Sequence, residues 1–145
     1  MASIDLQQQP VALGRRRLLV LLGAAVIAAA LNYLVSRGAV ALGADPGFRP
    51  LTAPVFIPFT LIGIVVGYTG WTTVARRSAD PRSVLRRLVP AVLVLSMIPD
   101  LLLLATKVIP DTSTTAVLGL MLMHVVVAAV AVPAYQLTKP VVKTS

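Results

Sequence analysis

Between Leu18 and Leu137 the chain carries four apolar runs long enough to cross a bilayer, and all its charged residues except Asp100 lie between or outside them. A membrane helix needs about 20 apolar residues. The runs fall at about residues 18–35, 53–75, 88–106 and 115–137. Backbone groups in hydrocarbon must be satisfied within the segment, so runs of this kind fold as helices. The expected fold is therefore all-α, an integral-membrane four-helix bundle over residues 15–138. A mobile polar leader is expected at residues 1–14 and a short tail at 139–145. The implied surroundings are a lipid bilayer.

Composition agrees. Hydrophobic residues make up 57% of the 145 and charged residues 12%, against about 25% charged in an average soluble domain. Cysteine is absent, so disulfide and thiolate chemistry are excluded. The net charge of +8 does not point to nucleic acid. The basic residues stand at the ends of apolar runs, without interleaved aromatics, where attraction to anionic lipid headgroups accounts for them.

Their distribution sets the expected orientation. Arg15, Arg16, Arg17, Arg76, Arg77, Arg82, Arg86, Arg87, Lys139 and Lys143 belong to one side; Arg37, Arg49 and Lys107 belong to the other. The richer side is expected in the cytoplasm, which places both termini there and the protein in the cell membrane. Arg15-Arg16-Arg17 before Leu18 also admits a signal peptide cleaved after Ala39-Val40-Ala41. A signal core is about 7–15 residues long, shorter than this run, so an uncleaved first helix is the better reading.

Turn formers separate the spans. Gly38, Gly43, Asp45-Pro46-Gly47 and Pro50 mark a loop over residues 36–52. Pro54 suits the first turn of the second span, and Pro58 is expected to bend it. Gly63, Gly67 and Gly70 share one face of that span. Gly63-x-x-x-Gly67 lets another helix approach closely, within the chain in the first instance and between copies of a homo-oligomer in the second. Tyr68 and Trp71 suit an interfacial belt. Asp80-Pro81 is read as a turn.

Two ionisable groups lie deep in apolar runs. Asp100 follows Pro99 in the third, and His124 lies in the fourth. A charged side chain at such depth costs roughly 2.5–3.5 kcal/mol on insertion scales, so a partner is expected. At 1.5 Å per residue, Asp100 lies ~9 Å and His124 ~14 Å below the same end of adjacent antiparallel spans. The offset is about one helical turn, within reach of a small stagger or a bridging water. Asn32, Thr60 and Ser96 fall in the same half of the bundle. Together these five residues are candidates to line one ligand-binding cavity, with Asp100 and His124 as candidate acid and base. Interhelical hydrogen bonding is the plainer role for Asn32, Thr60 and Ser96.

No metal site or cofactor motif is apparent. One histidine and no cysteine are too few for a convincing zinc or haem site. Phosphate loops, nucleophile elbows and nucleotide fingerprints are missing. Ser96, His124 and Asp100 can be written as a triad, but no oxyanion donor accompanies them. The pattern Ser96-x-x-Pro99-Asp100, followed by Met123-His124 in the next span, resembles a domain-of-unknown-function family of small actinobacterial membrane proteins. The resemblance runs from about Arg16 to Tyr135. It implies four transmembrane helices and no assigned activity. Three functions fit these residues: binding of a lipophilic molecule or partner helix, acid–base catalysis on a lipid-like substrate, and proton-coupled transport.

Overall fold

The computed structural model describes residues 9–141. Residues 1–8 of the leader expected at 1–14, and the last tail residues, 142–145 with Lys143, lie outside them; residues 9–14 of that leader form the start of the first helix. The helices are α1 (Gln9–Ala41), α2 (Ala53–Arg77), α3 (Pro81–Ser96), α4 (Ile98–Thr106) and α5 (Thr114–Thr138), with a 3-10 turn at Arg49–Leu51. The pair α3–α4 forms one span broken at Met97. There are thus four apolar spans of membrane length, and no strand among the described residues.

The helix limits follow from local chemistry. α1 runs six residues beyond its expected end, because Ser36, Arg37 and Gly38 do not stop it. Gly43 does, at φ 99° in the left-handed region. The Ala44 N–H donates to Ala39 O at 2.9 Å and the Gly43 N–H to Val40 O at 3.0 Å. This is the paired closure of a Schellman motif. Ala39 and Ala44, which make its apolar contact, are both buried. Ser113 caps α5, its hydroxyl accepting from the Ala116 N–H at 3.2 Å.

The third span begins earlier than its apolar run. Asp80 is the N-cap of α3, accepting from the Ser83 N–H at 3.2 Å, and Pro81 is its first residue. Proline is favoured at that position because its missing N–H would be unpaired there anyway. Arg82, Arg86 and Arg87 therefore ride on helix rather than loop.

Packing is organised around α1 and α5, which share the most extensive helix interface. Ala25, Ala28, Asn32, Ser36 and Ala39 recur every three or four residues and are all buried. Opposite them α5 buries Ala116, Gly119, Met123 and Ala131. Close approach is needed here: a methyl on Gly119 would lie 3.0 Å from the Ala39 Cβ. Small residues at membrane-helix interfaces serve this purpose.

The core has two clusters, one toward each end. One joins Ala39, Phe48, Leu51, Phe56, Ala116, Leu120 and Met123, so the loop after α1 folds back as a plug. The other joins Ala25, Ala28, Ile64, Trp71, Leu85, Ala131 and Tyr135. Trp71 departs from the expected lipid-facing belt. It is 4% exposed, and its indole N–H donates to Lys139 O at 3.1 Å. Its polar edge is satisfied by the end of α5 rather than by headgroups.

Candidate functional site

Asp100 owes its position to the break in the third span. Pro99 has no N–H to give to Leu95 O, so the regular ladder cannot continue through it. The chain turns at Met97 and restarts as α4, with Asp100 in the first turn. A carboxylate there is favoured by the helix dipole. The residue is only 8% exposed.

His124 faces it from α5. Its Nδ1 lies 3.3 Å from Asp100 Oδ2 and 2.9 Å from Leu120 O. This is the one ion-pair contact among the described residues. A carbonyl oxygen can only accept, so this contact is a hydrogen bond in the tautomer that carries its hydrogen on Nδ1. Asp100 Oδ2 is close but outside hydrogen-bond geometry. It is a buried oxygen with no partner among the described residues. The imidazole side chain is 37% exposed. Ile98 and Leu101 on α4, and Leu122 and Val125 on α5, are also exposed and apolar. The imidazole thus opens sideways from the bundle onto a hydrocarbon-facing surface, while Asp100 Oδ2 is buried.

The remaining candidates fall into separate arrangements. Asn32, 1% exposed, donates through Nδ2 to Thr60 Oγ1 at 2.9 Å and ties α1 to α2. Its Oδ1 is likewise buried, with no partner among the described residues. Ser96 spends its hydroxyl on Leu93 O at 2.7 Å, within its own helix. No hydrogen bond joins Asn32, Thr60 or Ser96 to Asp100 or His124 among the described residues. Two polar pairs and an isolated hydroxyl are therefore present.

Sequence reasoning missed three polar anchors. Ser36 donates to Leu51 O at 2.7 Å, fixing the loop plug on α1. Its place four residues after Asn32, on a stripe of alanines, was the available signal. Leu120 O, the acceptor for His124, is backbone and leaves no side-chain signature. Tyr135 donates from its hydroxyl to Ile64 O at 2.6 Å, clasping α5 to α2.

Four apolar spans of membrane length define a multi-pass membrane protein whose surroundings are a lipid bilayer. The family model of the DUF6069 family of unknown function matches residues 9–140, and the chain belongs to that family. No curated protein and no solved structure gives a significant match.

Proposed function

We propose that this chain is a membrane binding protein. Its Asp100–His124 pair receives a hydrogen-bond donor from a lipophilic molecule or from a helix of a partner membrane protein. The observation that carries the reading is the unpartnered Asp100 Oδ2, buried 3.3 Å from an imidazole nitrogen whose proton is committed elsewhere. A buried acceptor left unmade costs about 1–3 kcal/mol, more when charged. A donor arriving from outside the chain would recover that free energy. The exposed flank of Ile98, Leu101, Leu122 and Val125 favours arrival from the hydrocarbon rather than from water.

The same geometry weighs against a proton relay. A proton passing from Asp100 to Nδ1 needs a lone pair there, and Nδ1 already bears a hydrogen. Binding therefore stands ahead of acid–base catalysis and proton-coupled transport.

The test is purification of the parent and of Asp100→Ala from the same membranes, followed by mass spectrometry of retained lipophilic molecules and associated membrane proteins. One species enriched at least tenfold on the parent, with both proteins equally folded, is expected. Equal retention of every species by the two would refute the proposal.

The end bearing Arg15–Arg17, Arg76–Arg87 and Lys139 is assigned to the cytoplasm of the cell, on the basic asymmetry. Single cysteines at Ser78 and Thr112 in the cysteine-free chain provide the check. An impermeant thiol reagent should label intact cells at Thr112 and not at Ser78; the reverse pattern would invert the topology.

A further inference from the structure

The basic end carries most of the positive charge of the chain. Among the described residues it holds Arg15, Arg16, Arg17, Arg76, Arg77, Arg82, Arg86, Arg87 and Lys139, against the single acid Asp80. Asp80 is not free to neutralise them, because its carboxylate caps the Ser83 N–H. None of these guanidinium groups makes an ion pair among the described residues. The opposite end holds Arg37, Arg49 and Lys107 against Asp45 and Asp111 and is nearly balanced.

The arginines of α3 are also held in place. Leu85 is buried in the core cluster with Trp71 and Tyr135, which fixes the rotation of the first turns of α3. At 100° per residue, Arg82 and Arg86 then share one flank, and Arg87 lies on the face away from the core. All three are exposed. From Arg82 to Arg87 the helix rises about 7 Å, comparable to a headgroup layer. Leu88, next in the chain, is exposed and apolar and begins the hydrocarbon-facing part. Arg76 and Arg77 close α2 across the short turn at residues 78–80.

We propose that this α2–α3 hairpin is a binding surface for the headgroup phosphates of anionic phospholipids, selecting them over zwitterionic ones. Charge and position complement an anionic headgroup layer. Guanidinium groups form planar, two-pronged hydrogen bonds to phosphate. These stand at the end of an apolar span, where a bilayer crossed by that span would place its phosphates. A basic residue near an anionic surface strengthens attraction roughly fivefold. The inference is independent of Asp100 and His124.

The chain has a single tryptophan, Trp71, at this end of the bundle. It serves as the donor for energy transfer to trace pyrene-labelled lipids in vesicles of phosphatidylcholine containing the full chain. Transfer to labelled phosphatidylglycerol should exceed transfer to labelled phosphatidylcholine, with an apparent association ratio of about fivefold or more. Salt at high concentration should bring the ratio toward one. Replacing Arg82, Arg86 and Arg87 together by Gln should do the same, while Lys at all three should keep only part of the preference, because an ammonium retains the charge but not the two-pronged hydrogen bonds. Equal transfer to both lipids in the parent would overturn the proposal. So would a preference that survives both high salt and the Gln substitutions. The salt measurement needs no variant, so a misfolded triple substitution leaves the proposal testable.

Discussion

Gly67→Leu is expected to lower the stability of the bundle by about 3 kcal/mol or more, at or beyond the upper end of the usual overpacking range. Even the first carbon of a side chain has no room. A Cβ built on Gly67 would lie 2.6 Å from the Tyr135 hydroxyl oxygen and 3.3 Å from its ring. A terminal hydroxyl often yields to such pressure, but this one is pinned. It donates to Ile64 O at 2.6 Å. Its ring packs against Tyr68 and Trp71 at centroid distances of 5.7 and 5.9 Å. Moving Tyr135 therefore breaks a buried hydrogen bond and an aromatic cluster together. Reversible unfolding in mixed micelles would measure the loss.

Two companion variants sharpen the reading. Gly70 has nothing within 4 Å of a built Cβ, so Gly70→Ala should leave stability unchanged or raise it. Gly67→Ala should cost less in a Tyr135→Phe background than in the parent, because the closest atom is then gone. A double-mutant cycle isolates that coupling. Equal costs of Gly67→Ala in the two backgrounds would show that the tyrosine is not what Gly67 accommodates.

The same residues show how far the sequence can be read. Four spans were legible because length and the spacing of charge determine them, independently of packing. The closeness of Asp100 to His124 was legible too, since depth along two helices joined by a short loop is simple arithmetic. What remained hidden depends on the rotation of one helix about its axis. In water the polar face of a helix reveals that rotation; in lipid nearly every face is apolar. The glycines of α2 were visible as a group, yet only Gly63 and Gly67 face α5, and Gly70 does not. Trp71 lies at the depth expected of a belt residue and points inward. Depth alone likewise grouped five residues; their pairing as Asn32–Thr60 and Asp100–His124 depends on helix rotation. Small residues were the better guide: the alanine stripe of α1 marks the α5 interface more clearly than any hydropathy pattern.

The central claim is that Asp100 and His124 form one coupled polar site, with the Nδ1 proton held by the Leu120 carbonyl. Nitrogen-15 NMR of the imidazole, in the parent and in Asp100→Asn, tests it most directly. Asp100 Oδ2 lies 3.3 Å from Nδ1, so replacing the carboxylate by an amide should shift the ring nitrogen resonances. The ring in the parent should carry its hydrogen on Nδ1, with Nε2 as the bare nitrogen. Superimposable ring resonances in the two proteins, with the hydrogen on Nε2, would contradict the account and leave Asp100 and His124 as unrelated packing features.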